Sequence, residues 1–127
     1  MIAIDTSALM AVLLDEPEAD ACAEALENAS RLIISAGTLA EASIVASRRN
    51  IADELDALIK RLGVEIIHVT PRYARLMAQA YDSWGKGVHP ASLNFGDCFA
   101  YALAKSENCP LLYVGNDFSR TDIRGAL

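Results

Sequence analysis

The stretch Met1-Ile2-Ala3-Ile4-Asp5-Thr6-Ser7-Ala8-Leu9-Met10-Ala11-Val12-Leu13-Leu14 decides the fold. Met1 to Ile4 is a short apolar run stopped by Asp5, and Thr6 to Leu14 is almost wholly apolar, the pattern of a strand feeding into a buried helix. Outward from this stretch the alternation repeats. Pro17 restarts a helix whose body, Ala19 to Ala29, consists of strong helix formers. Arg31 to Ser35 reads as a second strand, and Gly37 to Arg49 as a helix with Leu39, Ile44 and Val45 among its apolar positions. Leu55, Leu58, Ile59 and Leu62 recur at helical spacing, closed by Gly63 as C-cap. Val64 to Val69 is the third strand. Thr70 and Pro71 then cap and open a helix with the apolar stripe Tyr73, Leu76, Met77, Ala80, Tyr81 and Trp84. Gly85 to Leu93 reads as an irregular loop, Asn94 caps a helix from Phe95 to Ser106, and Leu111 to Val114 is the last strand. Three of the four strands run apolar without alternation, so the expectation is an α/β fold with a parallel sheet covered on both faces.

At 127 residues, without linker or repeat, one domain over 1–127 is expected. A chain that is 53% hydrophobic and 22% charged is too apolar to be disordered. No run approaches the roughly 18–20 apolar residues of a membrane span. Met1-Ile2-Ala3-Ile4-Asp5 lacks the basic start of a secretory signal, so the expected location is the cytoplasm. Cys22, Cys98 and Cys109 show no C-x-x-C spacing, which excludes a zinc knuckle and predicts buried thiols. Seventeen acids against eleven bases give a net charge of -6, which weighs against a polyanionic partner held by bulk electrostatics. The exception is a chain whose carboxylates converge on a cation.

In parallel sheets ligands bind beyond the carboxyl ends of the strands. Asp5 follows the first strand and Asp117 the last, both beside small polar residues. Glu41 lies early in the third helix and Asp97 in the first turn of the helix capped by Asn94. Each acid alone has a plainer explanation: a cap for Asp5, a turn for Asp117, a solvated position for Glu41, the helix dipole for Asp97. All four at one sheet end is harder to explain so. Four such carboxylates repel one another unless a cation sits among them, and oxygen-only ligands favour Mg²⁺ or Mn²⁺ over zinc. Water activated on such an ion and aimed at phosphorus points to phosphodiester hydrolysis.

The segments Ile4-Asp5-Thr6-Ser7-Ala8-Leu9, Thr38-Leu39-Ala40-Glu41, Ala91 to Ala104, and Leu111 to Phe118 followed by Thr121-Asp122-Ile123 resemble PIN-domain ribonucleases, and among them the VapC toxins of type II toxin–antitoxin pairs. The resemblance spans essentially the whole chain in order. It implies a PIN-like three-layer α/β/α fold with a central parallel sheet of four to five strands. It also implies an Mg²⁺-dependent endoribonuclease, with Mn²⁺ as an alternative ion, that cuts RNA of the tRNA or rRNA class to 5′-phosphate and 3′-hydroxyl ends. By the same resemblance Asp5 and Asp97 are the direct metal ligands, and Glu41 and Asp117 complete the acidic quartet. Thr6 or Ser7 is the hydroxyl that hydrogen-bonds into the site, and Asn116 is the polar neighbour of the fourth acid. Asp122 matches a frequent Thr-Asp pair, for which a turn or capping role serves equally well.

The resemblance further implies a homodimer bound by a VapB-type antitoxin, whose C-terminal segment lies in an apolar groove and offers a basic side chain to the acids. The negative charge suits that partner. The surplus of apolar residues in the first two helices, from Leu9 to Leu14 and at Cys22, Ala25 and Leu26, is expected to serve core and partner surface together. Lys86 in the glycine loop and Arg120 after Asp117 are candidates to hold RNA phosphates. Trp84 and Tyr81 share the packing stripe, and packing is their expected role. His68 and His89 lie where histidines are structural or solvent-facing.

Alternatives remain at this stage. A catalytically silent PIN fold acting only through its antitoxin complex fits the sequence. A dehalogenase-type phosphatase would need a second aspartate where Thr6-Ser7 stands, and a receiver would need paired acids after the first strand.

Overall fold

The computed structural model describes residues 1–127. Strand β1 (Ile2–Ile4) leads into α1 (Thr6–Leu13), and α2 (Ala19–Asn28) precedes β2 (Leu32–Ser35). Next come α3 (Ala36–Arg48), α4 (Ala52–Leu62), β3 (Glu65–Ile67), α5 (Pro71–Trp84), α6 (Phe95–Ser106) and β4 (Leu111–Leu112). A single 3₁₀ turn, Phe118–Arg120, follows. The caps are those the sequence offers: Gly63 adopts φ 63° as the C-cap of α4, Thr70 caps α5 ahead of Pro71, and Asn94 caps α6.

The four strands are parallel, in the order β3-β2-β1-β4. The chain therefore winds outward from β1 to β3 and returns to the other side of β1, making a topological switch between β1 and β4, where ligand crevices form in such sheets. Successive residues face opposite layers: Ala3, Ile33 and Leu111 enter the core under α5 and α6, whereas Ile4, Leu32, Ile34 and Leu112 enter the core under α1 to α4. This is the three-layer α/β/α fold expected from the sequence.

Several local expectations are corrected. β4 ends at Leu112, not Val114, because the Val114 N–H leaves the ladder and donates to Ser7 Oγ at 2.9 Å. β3 is an exposed edge: Ile66 is 42% exposed, and Glu65 pairs with Arg31 at 2.5 Å, a charged pair that blunts the edge. Pro17 lies outside α2, which Glu18 caps. Ile44 and Tyr81 turn outward. Leu9, Met10, Cys22 and Leu26 are buried, and Val12, Leu13, Leu14 and Ala25 pack against them, so the apolar surplus of the first helices serves the core. The three cysteines are buried and free, as expected. No helix is long and apolar enough to cross a membrane.

Candidate active site

Asp5 sits where β1 ends and α1 begins, and its backbone N–H still belongs to the sheet, donating to Leu112 O at 3.0 Å. Its two carboxylate oxygens have different surroundings. Oδ2 caps α1, accepting from Ser7 N–H at 3.1 Å and from Ser7 Oγ at 2.6 Å. Oδ1 is buried with no hydrogen-bond partner. The capping explanation thus accounts for one oxygen and leaves the other, in a residue only 4% exposed, without the partner a buried polar atom needs. Burial raises the Asp5 pKa, Ser7 opposes this, and Glu41 adds to the rise.

Asp97 repeats the arrangement at the start of α6. Its Oδ2 accepts from Asn94 N–H at 3.0 Å while Asn94 Oδ1 accepts from Asp97 N–H at 2.8 Å, a reciprocal cap. Burial, with added repulsion from Asp5, Asp117 and Glu41, pushes the carboxyl up to about 7 despite the Asn94 hydrogen bond. Asp5, Asp117 and Glu41 thus all lie near enough to Asp97 to repel its charge, and Glu41 near enough to repel that of Asp5. Glu41 is half-buried on α3, and its Oε1 accepts from Thr6 Oγ1 at 2.5 Å. Its carboxylate rests against Gly96, where any side chain would collide with it. Asp117 caps the 3₁₀ turn without a side-chain cap bond and is exposed.

Both hydroxyl candidates serve the site, Thr6 on Glu41 and Ser7 on Asp5. Ser7 also accepts from Val114 N–H, so one hydroxyl ties the ends of β1 and β4 together. Thr38 Oγ1, one turn before Glu41, is a second buried atom without a partner. Asn116 meets its neighbours through its carbonyl, which accepts from Ser119 Oγ at 2.8 Å. Asp122 does not join the acids: it accepts from Tyr101 Oη at 2.5 Å and from Lys105 Nζ at 3.1 Å. Those bonds, Tyr101's first, hold its pKa below the ordinary value.

No cation answers the quartet from within the chain, whose two ion pairs are Arg31–Glu65 and Lys105–Asp122. Nor does any group of three or more His, Cys, Asp or Glu side chains enclose an ion. Lys86 is exposed in the loop after α5, and Arg120 Nη1 donates to Pro90 O at 3.3 Å, bringing the Asp117 turn beside that loop. His68 is exposed, and His89 Nδ1 accepts from Ala91 N–H at 3.0 Å. Trp84 packs as expected, its ring edge-on to His89 with centroids 4.7 Å apart.

Two features escaped the sequence reading. Phe95, two residues before Asp97, is 70% exposed and forms with Val69, Met77, Tyr81 and Phe99 an apolar groove of about 460 Å³. Tyr101 donates to Asp122 and accepts from Trp84 Nε1–H at 2.9 Å. The signal for Tyr101 is its place midway between Asp97 and Lys105 at four-residue spacing, on one helix face.

The PIN domain family model matches residues 2–124. Ribonuclease VapC28 of Mycobacterium tuberculosis is 47% identical over 128 residues, covering 98% of this chain and 96% of that protein. Among solved structures, Mycobacterium tuberculosis VapC20, a sarcin-ricin loop cleaving toxin, superposes with a TM-score of 0.79 at 17% identity, over 97% of this chain and 96% of that one. A toxin–antitoxin complex from Klebsiella pneumoniae superposes with a TM-score of 0.74 at 17% identity, covering 96% and 93%.

Proposed function

From the premise that this chain belongs to the PIN-domain family, and within it to the VapC ribonucleases, we propose that it is an endoribonuclease toxin that uses a divalent cation held by Asp5 and Asp97. The observation that carries the reading is the buried Asp5 Oδ1 without a partner, beside an Asp97 carboxyl that its acidic neighbours help hold at about 7. A cluster built at that electrostatic cost fits a missing positive charge.

When bound, Mg²⁺ or Mn²⁺ supplies an activated water and neutralises charge growing on the scissile phosphate. The chain's own groups prepare the place. Ser7 fixes the Asp5 carboxylate by holding its Oδ2. Asn94 orients Asp97 in the same way. Thr6 pins Glu41, and Glu41 and Asp117 would place water around a bound ion. Lys86 and Arg120 are suited to hold flanking RNA phosphates. The antitoxin we propose as partner offers a basic side chain to the same acids. The net charge of -6, the unanswered quartet and the fold shared with a toxin–antitoxin complex support it.

The test is cleavage of total RNA by antitoxin-free protein with Mg²⁺, with Mn²⁺ and with EDTA, alongside Asp5→Ala. Discrete fragments with 5′-phosphates, formed only by the wild type with metal, are expected. Folded protein that cuts nothing under either ion, or Asp5→Ala that still cuts, overturns the nuclease reading and leaves a binding role through the antitoxin complex.

A further inference from the structure

Asp122 stands outside the quartet, yet it ends a continuous polar chain. Trp84 Nε1–H donates to Tyr101 Oη at 2.9 Å, Tyr101 Oη donates to Asp122 Oδ1 at 2.5 Å, and Lys105 Nζ reaches Asp122 Oδ2 at 3.1 Å. The chain links the end of α5, the middle of α6 and the segment after β4. Between Asp117 and Asp122 the backbone is tightly bound. Phe118 is buried at 2% exposure in the core under α5 and α6, Thr121 N–H donates to Phe118 O at 3.0 Å, and Thr121 Oγ1 donates to the same carbonyl at 2.7 Å. Ile123 N–H donates to Thr121 Oγ1 at 3.2 Å. A rigid turn thus carries Asp117 at one end and the Asp122 clamp at the other.

The clamp closes on α6, the helix that also carries Asp97, one turn from Tyr101. α6 therefore carries both Asp97 and the two side chains that bind Asp122. Asp117 itself is exposed and has no side-chain cap bond of its own. We propose that Asp122, with Tyr101 and Lys105, is a positioning group for Asp117, setting its distance from Asp97 without touching substrate or ion. The inference rests on the nuclease reading of the quartet.

A double-mutant cycle tests it. Rates on one fluorescent RNA chosen from the mapped fragments, at saturating Mg²⁺, are compared for wild type, Asp117→Asn, Asp122→Ala and the double variant. Mn²⁺ affinity is measured by calorimetry on the same four proteins. A displacement of about 1 Å in a catalytic group can cost about 100-fold, so Asp122→Ala is expected to lower kcat about 10- to 100-fold, with KM nearly unchanged. The double variant is expected to be no slower than Asp117→Asn alone, since the lost positioning then acts on nothing. Asp122→Asn, which keeps an acceptor for Tyr101, is expected to recover most of the rate. Losses that multiply in the double variant, or an unimpaired Asp122→Ala, overturn the proposal. Should Asp122→Ala fail to fold, Tyr101→Phe takes its place in the cycle. If Asp117→Asn and wild type cut equally, the quartet reading has failed and the proposal falls with it; Mn²⁺ affinity is expected to be nearly equal in wild type and Asp122→Ala, because Asp117 is not a direct ligand, and a large loss of affinity in Asp122→Ala overturns the positioning role.

Discussion

Replacing Asp97 with asparagine should stabilise the metal-free protein at neutral and alkaline pH while abolishing RNA cleavage. The amide oxygen of the new side chain still accepts from Asn94 N–H, so the cap at the start of α6 survives the change. What disappears is a charge in a residue only 7% exposed, with three acids pressing on it. A carboxyl that titrates at about 7 in the folded protein instead of 3.8 binds its proton across an interval where the unfolded chain has released it. Over that interval the folded state holds more protons, so folding stability falls as pH rises from about 4 to about 7 and stays low above it. At about 1.36 kcal/mol per pH unit the full loss is about 4 kcal/mol, a large part of the roughly 5–15 kcal/mol that holds a domain folded. Asparagine does not titrate, so it escapes this loss. Urea denaturation in EDTA at pH 4.5 and pH 8 measures most of it: the advantage of Asp97→Asn should grow by about 3 kcal/mol between the two. Excess Mg²⁺ at pH 8 should restore the wild type and leave the variant unmoved. An advantage equal at both pH values, or Mg²⁺ stabilising both proteins alike, would refute the reasoning.

Ser7→Ala strips the hydroxyl that donates to Asp5 and strands the Val114 N–H, so urea midpoints should show a loss of about 1–3 kcal/mol together with slower RNA cleavage. Gly96→Ala should separate stability from activity. Alanine suits a helix better than glycine by up to about 1 kcal/mol, yet its methyl would displace the Glu41 carboxylate, so cleavage should fall while the thermal midpoint changes little, and unchanged cleavage would contradict the Glu41 placement. Leu55→Ala, on α4 and only 1% exposed, should cost about 2–5 kcal/mol by denaturation while leaving the rate per folded molecule intact.

The order of elements was legible because its signals are local. Thr70-Pro71, Asn94 and Gly63 mark helix ends through bonds to backbone a few residues away, and apolar spacing marks the buried faces. Asp5 and Asp117 stood out as candidates for a related reason: in a parallel sheet the residues after the strands converge at one edge, whichever strands neighbour one another. Strand limits were less so, since β4 ends at Leu112 only because Ser7, 107 residues earlier, takes the Val114 N–H. The same limit hid what Asp122 binds, since its partner Tyr101 lies 21 residues back on another element.

By itself the sequence determined an α/β chain and marked four acids as candidates for one end of its sheet. The tertiary structure alone decided that β1 lies between β2 and β4, that one Asp5 oxygen is spent on the helix cap while the other is left without a partner, and that Asp122 is bound by Tyr101 and Lys105 of α6. The physical reason is range. Caps and periodicity act over three or four residues, whereas the burial and repulsion that shift a carboxylate arise only after distant segments have packed against it.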